Sequence, residues 1–100
     1  MYARISRFEG ITVTPELAAQ VEKALGPILE ELDGWKGAMQ LLDESGTSAV
    51  TINFFDTAES MAAAEPAFEA LSERLGELRE QLGGSRTSIE RYQVVSEQRR

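Results

Sequence analysis

The sequence predicts an α+β domain, with a four-stranded antiparallel sheet carrying its helices on one face. Three observations predict it: a short β-type run opens the chain, two amphipathic stretches of helical period flank a hairpin signal, and a second β-type run closes it. The resulting order is strand, helix, hairpin, helix, strand, so the two halves each contain a strand–helix–strand unit.

Tyr2 to Phe8 interleaves aromatic and β-branched residues with Arg4 and Arg7 and is closed by Glu9-Gly10, which reads as a strand. Thr14-Pro15-Glu16 sets a hydroxyl at a helix N-cap, a proline in the first turn and a carboxylate against the positive end of the helix dipole. Leu17, Val21, Ala24, Ile28 and Leu32 then form one apolar stripe, with Glu22, Lys23, Glu30 and Glu31 outside it. Pro27 cannot donate to the carbonyl four residues back, so a kink or break is expected near Lys23 to Gly26. Asp33-Gly34 ends this helix.

Trp35 to Leu42 and Ser48 to Phe55 are extended stretches joined by Asp43-Glu44-Ser45-Gly46-Thr47, a hairpin signal. Asp56-Thr57-Ala58-Glu59 supplies a cap with a carboxylate three residues on. Met61, Ala64, Phe68, Leu71, Leu75, Leu78 and Leu82 continue at helical spacing, and Pro66 should divide the segment into a short helix and a longer one. Gly83-Gly84 stops it, and Arg86 to Val95 reads as the last strand, with Ile89, Tyr92, Val94 and Val95 as its apolar members. Two right-handed crossovers of this kind give the ferredoxin-like split βαβ layout. A single domain over residues 1–100 is expected, with 1–95 as its core and 96–100 as a tail.

Composition narrows the chemistry. The 100 residues are 42% hydrophobic and 27% charged, which fits one globular domain. They include no His and no Cys, so the commonest general base, the commonest metal ligand and the usual thiol nucleophile are absent. Carboxylates, Arg, Lys, Tyr, hydroxyls or a bound ligand must do the work. Net charge is −7, with Arg99-Arg100 as the one adjacent basic pair, so no nucleic-acid partner is expected. The first twenty residues hold Arg4, Arg7, Glu9 and Glu16 and no long apolar run; neither a signal peptide nor a membrane partner is expected, and the expected location is cytoplasmic. Glu65, Glu69 and Glu73 fall four apart and read as a solvated helix face with Arg74 nearby, so no metal is expected.

Both faces of the predicted sheet carry apolar groups. Val50, Ile52 and Phe54 form one parity set and Ala49, Thr51 and Phe55 the other; Ala38 and Leu42 likewise oppose Met39 and Leu41. Two helices cover only one side of a sheet. At about 25 cal/mol per Å² of apolar area, the remaining face drives association, and a homodimer through that face is expected.

The segments Tyr2-Ala3-Arg4-Ile5-Ser6-Arg7-Phe8-Glu9-Gly10, Leu32-Asp33-Gly34-Trp35-Lys36-Gly37, Phe55-Asp56-Thr57-Ala58-Glu59-Ser60-Met61 and Glu90-Arg91-Tyr92-Gln93-Val94-Val95 resemble, over essentially the whole chain, the dimeric α+β barrel superfamily and within it the antibiotic biosynthesis monooxygenase (ABM) type of domain. The resemblance implies a homodimer whose sheets face one another, and in each subunit a cavity between sheet and helices for a small apolar or aromatic molecule. It implies either a cofactor-independent monooxygenase of aromatic, polyphenolic compounds or a non-catalytic ligand-binding or accessory domain, with no cofactor in either case. Haem-degrading members use an Asn on the first strand, a Trp early in the second helical region and a His further along. The matching positions here hold Ser6, Ala62-Ala63-Ala64 and Ser72, so haem degradation is not expected.

A cofactor-free oxygenase needs a dry pocket that holds an aromatic diol, removes a proton and stabilises the anion while it donates electrons to oxygen. Pocket candidates are Arg4 to stabilise the anion, Ser6, Asn53, Ser72 and Tyr92 to orient hydroxyls, and Trp35, Phe55 and Phe68 as apolar wall. Each has a plainer reading. Trp35 packs where a strand starts, Phe68 fills the core, Asn53 finds partners in backbone or in the other subunit, and Arg4 and Arg7 pair with helix carboxylates.

Overall fold

Four antiparallel strands pair in the order β2-β3-β1-β4, so the first strand in sequence lies inside the sheet between the third and the fourth. The strands are β1 (Tyr2–Ile11), β2 (Trp35–Leu42), β3 (Ser48–Phe55) and β4 (Gly83–Gln93); the helices are α1 (Pro15–Glu30), α2 (Ala58–Ala63), α3 (Glu65–Arg74) and α4 (Gly76–Leu82). The structure is a computed structural model that describes residues 1–100, the side chain of Ser72 excepted. The arrangement is the α+β, ferredoxin-like one that the order of elements predicts.

The Thr14 hydroxyl accepts the Leu17 N–H at 3.1 Å and starts α1. Of the kink or break expected near Lys23 to Gly26, the break does not occur: α1 runs through Pro27 to Glu30. Gly26 has no Cβ to clash with the proline ring. Buried Leu29 and half-buried Leu25, Ile28 and Leu32 hold this last turn against the core. The helix ends short of Asp33, and tight backbone bonds from Leu32 N–H to Leu29 C=O and from Trp35 N–H to Leu32 C=O lead straight into β2.

The second helical region departs from expectation in two ways. Its N-cap is Thr57 rather than Asp56, with the Thr57 hydroxyl accepting the Ser60 N–H at 3.0 Å. Pro66 lies in the first turn of α3 and divides the segment as expected, but a second division falls at Leu75-Gly76, where Gly76 has φ +24°. The apolar repeat is continuous across that division, so side-chain spacing alone did not reveal it. β4 starts at Gly83 rather than Arg86 and stops at Gln93; Val94 donates its N–H to Met1 C=O at 2.8 Å, and Val95 is 87% exposed.

One face of the sheet packs on the helices. Its core is Leu29, Phe55, Met61, Ala64, Phe68 and Leu71, with Phe55 and Phe68 meeting edge to face at 6.2 Å. The other face has no helix over it. The parity set Val50, Ile52 and Phe54 lies there half-buried beside Ile5, while Met39 and Leu41 are 53% and 51% exposed. No described helix is long and apolar enough to cross a membrane.

The reversal between α4 and β4 requires glycine. A Cβ on Gly84, at φ +67°, would stand 2.3 Å from the Glu9 carbonyl oxygen, whereas one on Gly46, at φ +74° in the hairpin, meets nothing within 4 Å. Gly46→Ala should therefore cost about 1 kcal/mol of backbone strain. Gly84→Ala, which adds a backbone collision, should cost about 3 kcal/mol or more. Urea unfolding of the two variants checks the order; equal midpoints would contradict it.

Candidate ligand cavity

Strand parity sends Arg4, Ser6 and Phe8 of β1, and Thr51 and Asn53 of β3, toward the helices, because Arg4 pairs with Asn53 and Ser6 with Thr51 across the ladder. These residues floor a cavity of about 470 Å³ between sheet and helices. Val21, Leu25 and Leu29 of α1 form one wall; Phe68, Leu71 and Leu75 form the other. Such a mostly apolar space with a few polar groups converging on it is the usual form of a small-molecule site.

Arg4 anchors the inner end. It is 3% exposed, and burying a guanidinium without a partner would be strongly unfavourable. Its Nε donates to Glu65 Oε1 at 2.7 Å and its Nη2 to Glu65 Oε2 at 3.3 Å, a two-pronged pair from β1 to the first turn of α3. Nη1 donates to the Ser6 hydroxyl at 3.0 Å, and the guanidinium carbon stands 4.1 Å over the centre of the Phe68 ring. Arg91 on β4 adds a second cation to Glu65 at 2.9 Å. Burial pushes the Glu65 carboxyl up, but hydrogen bonds and charge from Arg4 and Arg91 outweigh it and hold the group below its ordinary 4.5.

Asn53, 4% exposed, meets the requirement that a buried amide find partners. Its Oδ1 accepts the indole N–H of Trp35 at 3.1 Å. Indole N–H is a donor only, so this bond fixes which way the amide is turned and leaves Nδ2 as a donor with no partner among the described residues.

Arg4, Ser6, Asn53 and Phe68 thus come together around one space. Trp35 does not line it; it packs on the core and orients Asn53 from behind. Phe55 is fully buried beneath Phe68. Tyr92 lies on the other side of the sheet, opposite Ala3 in the ladder, 52% exposed and donating to Glu90 at 3.2 Å. Ser72 lies outside the described side chains.

Arg7 shares that outer side with Tyr92 and pairs with Glu90 of β4 at 2.7 Å, not with a helix carboxylate as expected. Glu65, read from sequence as part of a solvated face, is half-buried in the Arg4 pair. Sequence reasoning also missed Arg79, Ser85 and Arg86, which line the open end. For Glu65 a signal existed, since it stands beside Pro66 at a helix start while Arg4 occupies an inward position on β1. Arg79 and Arg86 lie seven residues apart on two elements, and only the Gly83-Gly84 reversal brings them to one rim.

Neither a protein-family model nor a curated protein sequence matches the chain. Solved structures do match in fold. SnoaB, a cofactor-independent oxygenase from Streptomyces nogalater, superposes with a TM-score of 0.68 at 15% identity, over 96% of this chain and 94% of that one. A monooxygenase from the gene ActVA-Orf6 of Streptomyces coelicolor, in complex with nanaomycin D, superposes at 0.66 with 18% identity, over 99% and 91%. A Deinococcus radiodurans protein assigned to the antibiotic biosynthesis monooxygenases superposes at 0.61 with 17% identity, over 99% and 97%. The chain therefore has the fold of the ABM-domain proteins, as its sequence resemblance implied.

Because the folded state lowers the Glu65 pKa, its pairing contributes stability above 4.5 that is lost as pH falls through the folded value. Glu65→Gln should lower stability at neutral pH by about 2 kcal/mol, since it leaves Arg4 buried without a counter-charge. It should also flatten the acid limb of stability below about pH 4.5. Denaturation followed from neutral to acid pH checks both; a variant whose acid limb runs parallel to the parent's would contradict them.

Proposed function

We propose that the protein is a cofactor-independent monooxygenase of an aromatic, polyphenolic substrate, working as a cytoplasmic homodimer. The observation that carries this reading is the mostly apolar cavity, open at one end, with Arg4, Ser6 and Asn53 converging on it, in a fold shared with SnoaB. Cytoplasmic work accords with a chain free of cysteine.

The reaction suits these residues. An anthrone-type methylene reacting with dioxygen gives a carbonyl and water, R₂CH₂ + O₂ → R₂C=O + H₂O; one oxygen atom enters the product and the substrate supplies all four electrons. The protein's share is to favour the substrate anion that starts electron transfer. The Asn53 amide N–H and the Arg4 guanidinium are placed to stabilise an oxyanion in a mostly apolar space that water reaches from its open end. Among the described lining residues there is no carboxylate and no tyrosine, so the phenol or enol of the substrate must be acidic enough to lose its proton to water or hydroxide. That same observation favours a second reading, in which the cavity binds an aromatic compound without turning it over.

Oxygen uptake with a panel of quinols and anthrones separates the two. Turnover predicts uptake above buffer, reduced about a hundredfold in Asn53→Ala, the scale of losing one oxyanion donor. Saturable binding with no uptake beyond buffer would leave only the second reading.

The homodimer is supported by the uncovered sheet face, where Met39 and Leu41 are half-exposed around Ile5, Val50, Ile52 and Phe54. Sedimentation at micromolar concentration should give a particle of twice the 11.0 kDa chain mass, and Leu41→Glu should shift it toward the single chain. A single-chain particle for the parent protein would contradict this part of the proposal.

A further inference from the structure

We infer that the cavity selects a planar apolar ligand carrying one carboxylate, received at the open end by Arg79 and Arg86. This rests on reading the cavity as the ligand site and adds the ligand's charge. The chain has 17 acidic and 10 basic side chains, yet the described residues around the cavity include three arginines and no Asp or Glu. The rim of this space is thus opposite in sign to the molecule as a whole.

The three arginines are not equivalent. Arg4 has its counter-charge in Glu65. Arg79 and Arg86 are exposed, and among the described residues neither forms an ion pair or a side-chain hydrogen bond. Arg79 lies in the last turn of α4 and Arg86 on β4 beside Phe8, with the Ser85 hydroxyl at the same rim. Glu77 and Glu80 flank Arg79 in sequence and pair with it no more than any other carboxylate does. Two guanidinium forks without partners, on the rim of an apolar cavity in an acidic protein, form a receptor for a planar oxyanion. The aromatic body would then lie between Leu25 and Leu75, with its far edge toward Asn53.

Anthracene-9-carboxylate and the uncharged anthracene-9-methanol are suitable probes, titrated by their fluorescence into the parent protein and into an Arg79→Gln, Arg86→Gln double variant. The acid should bind about tenfold tighter than the alcohol, the scale of one charge-assisted contact. Raising salt from about 0.02 to about 0.5 M should weaken the acid alone. The double variant should abolish the preference while leaving alcohol binding unchanged. Equal affinities in the parent, or a preference that survives the double variant, would overturn the inference while leaving the cavity as a ligand site. Binding of neither probe would remove both.

Discussion

The two-pronged ion pair between Arg4 and Glu65 is the constraint on which the rest of this structure turns. A guanidinium 3% exposed cannot be left unpaired, so the first turn of α3 must sit over the middle of β1 wherever else the helices go. Once there, Phe68 one turn later lies under the guanidinium face and against Phe55, and the apolar core follows from that seat. The same arginine holds the Ser6 hydroxyl on the cavity floor. A residue needed for the fold is in this way also a residue that shapes the site.

The sheet separates two environments that differ in what they lack. Toward the helices, strand parity collects Arg4, Ser6, Thr51 and Asn53 around a space that the apolar walls do not fill. On the far side the same strands present Ile5, Val50, Ile52 and Phe54 with no layer above them, crossed by the exposed Arg7–Glu90 pair. A small domain has little interior to spare for a cavity, and covering the far face with a second copy would offset what the cavity leaves unfilled.

Much of this was legible in the sequence because it depends on local signals. Thr14-Pro15 capped a helix where it should, the hairpin strands fall on the expected residues, and the parity of Val50, Ile52 and Phe54 put them on one face. Departures arose where a local rule met tertiary packing. Pro27 is held in α1 by the leucines around it, and Gly76 divides a helix whose apolar spacing never falters. The site was half legible: Arg4, Ser6 and Asn53 could be named as candidates, Asn53 as an unusual strand amide, but which way their side chains face came only from the ladder register. Glu65 carried a signal in its place beside Pro66 at a helix start, but the Arg79 and Arg86 rim could not be read, because chain reversal rather than spacing brings it into place. Tyr92 shows the converse, since one residue of register separates it from Arg91 and sends it to the far face.

The most direct test of the central pair is a double-mutant cycle in which Arg4 and Glu65 are replaced by Met singly and together, with unfolding free energy as the readout. A pair that clamps helix to strand predicts that Glu65→Met loses about 3 kcal/mol or more by stranding the buried guanidinium, and that Arg4→Met loses less, because Arg91 still pairs with Glu65. The double variant should recover much of that loss, giving a coupling energy of at least about 2 kcal/mol. Additive single losses, with no recovery in the double variant, would contradict the account.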